Sequence, residues 1–213
     1  MIPCPVCSVE CHSIECMLAQ CPRCDHVFDP SLRSSVPYDQ SYLDTYKSYP
    51  TELMSTIRVA LLKTLITEGK ILDIGYGNGS FLKLAKTVGY ETAGHDVHGV
   101  PCGVRDVDPW VSGEVWDAIC MFDSIEHFGT FDALRRLFEC SRIVLVSTPC
   151  RDSVSGRISD WKHFKPGEHL HYFSAKSLKT LIGKNVVFDT DVEDMIRRSE
   201  LPGRNIMTVG FRA

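Results

Sequence analysis

"ILDIGYGNGS", Ile71 to Ser80, sets a short apolar run against a segment with glycine at every second position: Gly75, Gly77 and Gly79. The apolar run through Ile74 predicts a buried strand, and Phe81, Leu82, Leu84 and Ala85 predict one face of a following helix that stops at Gly89. Between the two the chain has shed its side chains. A glycine loop at a strand-to-helix junction brings backbone N–H groups and the helix N-terminus close to a ligand at the carboxyl edge of a parallel sheet; a tight turn without a ligand is the alternative. Glu91 to Asp96 reads as a second strand, so strand, loop, helix and strand form a βαβ unit with a right-handed crossover. The spacing departs from the dinucleotide pattern G-x-G-x-x-G, because the third glycine comes one residue early and Ser80 stands where the last belongs. NAD and FAD are disfavoured on that ground.

Outward from this unit the alternation continues. Leu53, Ile57, Leu61 and Leu65 recur at helical spacing after Thr51, a candidate cap. "VWDAICMF" predicts a strand, "TFDALRRLFEC" a helix with Phe131, Leu134 and Phe138 on one side, and "RIVLVSTP" a fully buried strand. Ser174 caps a short helix through Leu178, Leu181 and Ile182 to Gly183, and Asn185–Asp191 and Asn205–Phe211 read as two closing strands around "LPGR".

The chain has 213 residues, room for one well-buried domain and a small appendage. Its formal net charge of -4 offers no basic face, so nucleic acid is an unlikely partner and a small molecule fits better. No run is long and apolar enough to span a bilayer, and "MIPCPVCSVE" lacks the basic and apolar regions of a secretory signal. A cytoplasmic protein is expected.

Asp73-Ile-Gly75-Tyr76-Gly77-Asn78-Gly79 resembles the first motif of class I S-adenosylmethionine-dependent methyltransferases. The resemblance implies an α/β, Rossmann-like doubly wound sheet with an antiparallel closing strand. It also implies that Asp73 lies near the methionyl end of S-adenosylmethionine and that Asp96, with Val97 beside it, meets the ribose diol. "FDSIEHF", Phe122 to Phe128, resembles the segment after the family's fourth strand, where Met121 and Phe122 would flank the adenine or the methionine chain and Asp123 would line the cofactor site. The alternative for Asp123, Glu126 and His127 is a helix cap with a supporting hydrogen-bond network.

Six of the ten cysteines fall in the first 24 residues. Cys4-x2-Cys7 and Cys21-x2-Cys24, thirteen residues apart, have the spacing of a closed four-thiolate site for structural zinc, with Cys11, His12 and Cys16 as competing ligands and disulfides as the alternative. The expected organisation is a zinc ribbon at 1–33, a tyrosine-rich linker at 34–50 (Tyr38, Tyr42, Tyr46, Tyr49) and a methyltransferase domain at 51–213.

"DWKHFKPGEHLHYFS" lies in a segment long enough to be a lid or binding loop. Glu168-His169-Leu170-His171-Tyr172-Phe173-Ser174 resembles a motif of methyltransferases that also carry an N-terminal four-cysteine ribbon, among them nucleotide-sugar methyltransferases with a Glu-His base. That resemblance implies His169 as general base, Glu168 as its orienting partner, and His127 or His171 as the substitute. The alternative is that Glu168 and His169 tie the loop to the sheet while Tyr172 and Phe173 pack in the core, and for Tyr172 and Phe173 it is the preferred reading. Only about twenty residues separate Asp96 from Trp116, so "VPCGVRDVD" must supply a shortened third strand and a helix drops out. The expected activity is methyl transfer to an oxygen, nitrogen or carbon of a small polar acceptor. A non-catalytic ribbon module on a degenerate methyltransferase fold is the rival.

Overall fold

The computed structural model describes residues 2–36, 51–97, 103–197 and 204–213; Tyr38 to Tyr49, Cys102 and most of "LPGR" lie outside the described residues. In chain order the elements are β1 (Ile2–Pro3), β2 (Glu10–Ser13), β3 (Ala19–Gln20), β4 (Val27–Phe28), α1 (Glu52–Leu65), β5 (Lys70–Ile74), α2 (Ser80–Thr87) and β6 (Glu91–His95). There follow β7 (Ala118–Phe122), α3 (Asp132–Cys140), β8 (Ile143–Pro149), β9 (His171–Tyr172), α4 (Ala175–Ile182), β10 (Asn185–Thr190), α5 (Val192–Ile196) and β11 (Ile206–Arg212).

The apolar runs of β7 and β8 are buried along their whole length, as parallel strands covered on both faces must be. They sit in the middle of a six-stranded sheet of order β10-β11-β8-β7-β5-β6. The pairs β5–β6, β5–β7 and β7–β8 are parallel, and β11 runs antiparallel to both its neighbours. On one face Ile71, Cys120 and Leu145 pack with Leu62 of α1 and Phe81 of α2; on the other Leu72, Ile119 and Val146 pack with Phe138 of α3 and Leu178 of α4. This is the doubly wound sheet, closed by one antiparallel strand, that the sequence predicts.

Two local expectations change. Helix α1 is rotated from its predicted phase, burying Ser55, Val59, Leu62 and Leu65 and leaving Leu53 61 % exposed. It is apolar on more than one side, and contact with the sheet selects the face. Thr51 makes no cap; its hydroxyl donates to Ser80 Oγ (2.9 Å) and accepts from Asn78 Nδ2 (3.2 Å), tying α1 to the glycine loop. Ser174 does cap α4, in a reciprocal box with Ser177. Among the described residues the third strand is represented by one parallel bridge, Gly94 with Asp106.

The small sheet has the order β1-β2-β3-β4-β9, so its last strand comes from the far end of the chain. Val27 pairs with Tyr172 and Phe28 with His171. Cys4, Val6, Cys21 and Cys24 belong to the same buried cluster as Phe131, Leu134 and Phe173. Arg135 of α3 reaches back to the carbonyls of Pro5 (3.1 Å) and Val6 (2.5 Å). The cysteine-bearing segment thus shares a core with the large sheet. Phe131, buried against the rings of His171 and Phe173, sits at that junction. Phe131→Ala should cost about 3–5 kcal/mol. Loss of far-UV ellipticity and exposure of the ribbon thiols should follow one shared denaturant transition; a ribbon that opens separately would refute the shared core.

Candidate active site

Gly75, Gly77 and Gly79 all adopt left-handed φ, +83°, +55° and +72°. A Cβ on Gly75 would stand 2.5 Å from Ser124 Cβ, and one on Gly94 in the neighbouring strand would run into the Tyr76 ring, so neither position admits a side chain. Ser124 Oγ donates to the Ile74 carbonyl (2.7 Å), which pins the chain after β7 against the loop. Gly77 N donates to Asp96 Oδ2 (2.9 Å), and Asn78 Oδ1 accepts from Ser80 N (3.0 Å) in the turn that enters α2. Asp73, between Gly94 and Cys120 in register, is only 2 % exposed, and its Oδ1 has no hydrogen-bond partner among the described residues. Burial pushes its carboxyl up to about 7 against the pull of Arg58. An unsatisfied buried acceptor beside bare backbone has the chemistry to meet a ligand cation.

Phe122 lies between the Arg58 guanidinium, 4.3 Å above its ring, and the edge of Phe81 at 4.8 Å. Met121 faces the opposite way and is fully buried in the cluster with Phe131; strand alternation turns it away from the cleft, which removes the expected contact with a cofactor. Val97, next to Asp96, is 79 % exposed. Asp123 turns through a left-handed φ of +52° and enters an ion network: Arg58 (3.1 Å) and Arg197 (2.5 Å) both reach its Oδ2, and both also bind Glu193 (2.7 and 3.0 Å).

One turn beyond Ser124 lies a cluster of Glu126, His127 and His169, each offering one ligand-capable atom within 4.8 Å of the others. His127 Nδ1 donates to the Glu168 carbonyl and His169 Nδ1 to the His163 carbonyl, both at 2.9 Å. Each ring's proton is thereby assigned to Nδ1 when neutral, with the lone pair on Nε2. The rings meet edge to face at 4.9 Å, and His127 Nε2 stands 4.0 Å from Glu126 Oε1. Burial pushes His169 down to about 3 and Glu126, 2 % exposed, up to about 8. The Glu168 carboxylate is not His169's orienting partner, since it pairs with Lys165 (3.2 Å) while only its backbone carbonyl serves the cluster. Glu126, for which the sequence left a supporting network open as the alternative, is the carboxyl group beside these histidines; its place one residue before His127 was the available signal. His171 is excluded as a substitute base, being fully buried between His26 Nε2 (3.0 Å) and the Phe128 carbonyl (2.7 Å).

The sulfurs of Cys4, Cys7, Cys21 and Cys24 lie within 4.8 Å of one another, with Cys4–Cys24 at 3.6 Å and Cys7–Cys21 at 3.4 Å. Tetrahedral zinc with bonds of about 2.3 Å needs sulfurs about 3.8 Å apart. The residue after each pair, Ser8 and Asp25, takes a left-handed φ (62° and 64°) that curls its knuckle around the sulfurs. The residues present fit a closed four-thiolate site, and Cys11, His12 and Cys16 stand outside it.

A family model described as a methyltransferase domain matches residues 46–185, 140 of the chain's 213. The chain therefore belongs to the methyltransferase-domain family. Among solved structures it is similar to an S-adenosylmethionine-dependent methyltransferase from Archaeoglobus fulgidus, at 18% identity and TM-score 0.59, over 82% of this chain and 100% of that one. It is also similar to magnesium protoporphyrin IX methyltransferase from Synechocystis PCC 6803 with bound SAH (12% identity, TM-score 0.54, 84% and 89% covered). The [4+2]-cyclase SpnF shares the fold as well (15% identity, TM-score 0.54, 76% and 80% covered). No curated protein matches the sequence. Among the described residues no helix is long and apolar enough to cross a membrane.

The ion network carries a pH signature. Burial alone would raise Asp123, but Arg197 and Arg58 outweigh it and hold the carboxyl down to about 2, against an ordinary value near 3.8. Between those values the unfolded chain binds more protons, so stability present above pH 3.8 is lost as pH falls toward 2. With the side chain 28 % exposed, the loss should be on the order of 1–2 kcal/mol. Melting temperatures from pH 5 down to 2 should fall more steeply for the native chain than for Asp123→Asn; parallel curves would contradict the assignment.

Proposed function

We propose that this chain transfers the methyl group of S-adenosylmethionine to an oxygen, nitrogen or carbon of a small polar acceptor. The reading is carried by the orphaned Asp73 Oδ1, buried at the carboxyl edge of β5 where the glycine loop exposes backbone. When bound, the donor supplies a sulfonium-activated methyl, whose C–S electron pair stays on sulfur as the new bond forms. Asp73 faces the ligand's cationic methionyl end, the Gly75–Gly79 loop with Tyr76 and Asn78 seats it, and Asp96, held by Gly77 N, meets the ribose hydroxyls. Val97 and Phe122 border the adenosyl part, and Asp123 holds Arg58 over Phe122.

The acceptor's proton leaves at the Glu126–His127–His169 cluster. His169 and His127 present unprotonated Nε2 atoms, and the Glu126 carboxyl group, in place of that of Glu168, stands beside them. Alignment of donor and acceptor accounts for about 7–11 kcal/mol of the barrier and a placed base for roughly 10²- to 10⁴-fold in rate. The four ribbon cysteines hold structural zinc, whose closed thiolate shell leaves no position for chemistry.

Calorimetric titration with S-adenosylhomocysteine should show one site per chain, weakened more than tenfold by Asp96→Ala. Asp73→Asn should weaken S-adenosylmethionine, because it removes the charge facing the cation. His169→Ala should leave that binding intact and lower turnover of a labelled methyl donor by about 10²-fold or more. A folded chain that binds neither donor nor product would end this reading.

A further inference from the structure

In the Glu126–His127–His169 cluster, His127 Nε2 and Glu126 Oε1 are 4.0 Å apart, too far for a hydrogen bond to each other. Both imidazoles are instead oriented from behind, their Nδ1 protons fixed on the carbonyls of Glu168 and His163. Glu126 is oriented the same way, with Oε2 accepting from Thr148 Oγ1 at 2.9 Å. Two imidazoles and a carboxyl group, each held by an outer partner and with ligand-capable atoms within 4.8 Å of one another, have the usual support of a metal-binding triad. At tetrahedral zinc with bonds of about 2.05 Å the donor atoms stand about 3.3 Å apart, so modest side-chain rotation closes a triangle whose sides are at most 4.8 Å.

The geometry points to a second metal site, in which Glu126, His127 and His169 hold one divalent ion such as zinc, iron or manganese and leave positions open for an acceptor hydroxyl. Imidazole and carboxylate together suit these ions, and three protein ligands are the number that catalytic sites keep. The location agrees, because Ser124, against which Gly75 packs, lies two residues before Glu126. The role of the ion rests on the methyl-transfer reading; its binding does not. With an ion bound the three side chains would act as its ligands in place of proton acceptors; the ion would lower the pKa of a coordinated acceptor hydroxyl, whose proton would pass to water.

The ribbon helps to build this site. Asp29 N donates to the Leu170 carbonyl (2.9 Å) and Ser35 N to the Gly167 carbonyl (2.9 Å), so the strand leaving the four cysteines braces the segment that carries His169.

Manganese separates the two sites, since it favours oxygen and nitrogen donors over thiolates. Titration of the intact zinc-loaded chain with Mn2+, read by loss of the free-ion electron paramagnetic resonance signal, should give about one bound ion per chain. Glu126→Gln and His169→Ala should weaken it more than tenfold, and Thr148→Val, which removes only the outer partner, by about 10- to 100-fold. Binding of S-adenosylhomocysteine should survive in each variant and serves as the check on folding. A native chain that binds S-adenosylhomocysteine yet takes up no Mn2+, Zn2+ or Fe2+ beyond the four-cysteine ion overturns the metal site and leaves methyl transfer standing. So does Mn2+ uptake indifferent to Glu126→Gln and His169→Ala. Loss of S-adenosylhomocysteine binding in the native chain would instead sink the donor reading, while the manganese titration would still decide the metal.

Discussion

The pairing of Val27–Phe28 with His171–Tyr172 is the constraint on which the active-site edge depends. It joins the first thirty residues to a loop more than 140 positions later, and two residues before that pair stands His169. Without β4 the His169 segment would lack the backbone partners that hold it at Leu170 and Gly167. A long loop ordinarily keeps its side chains only loosely placed. Here strand pairing and a ring cluster of His26, Phe131, His171 and Phe173 remove that freedom. The small sheet therefore fixes the segment that carries His169.

Buried charge is concentrated along the carboxyl edge of the large sheet, and its members fare differently. Asp123 is satisfied by two guanidiniums and held low. Asp73 and Glu126 are desolvated without a matching cation and pushed up. Such groups cost stability unless a ligand completes them, and their place is where a doubly wound sheet binds its ligands. A cavity of about 480 Å³ at the opposite edge, lined by Lys63, Arg142 and Arg212, lacks this unfinished character: Lys63 and Arg212 both donate to backbone carbonyls.

Legibility differed between elements for physical reasons. The glycine loop, β7, β8 and α4 were readable because their signals are local: bare backbone, an unbroken apolar run, a Ser cap with Gly at the stop. The reduced third strand was readable from length alone. The phase of α1 was not, since a helix apolar on several sides does not say which side meets the sheet. Met121 was misread because matching it to the family's segment ignored the alternation that turns it from Phe122.

The sequence by itself determined the α/β core, the glycine loop at the carboxyl end of β5 and the four metal-type cysteines, because periodicity and short-range spacing encode all three. Tertiary structure alone decided that the ribbon is stitched into that core. It also put Glu126 rather than Glu168 beside the histidines and left Asp73 with an unanswered oxygen. Those outcomes depend on contacts between residues tens of positions apart and on which way each side chain leaves the backbone, and neither is written in any local run of residues.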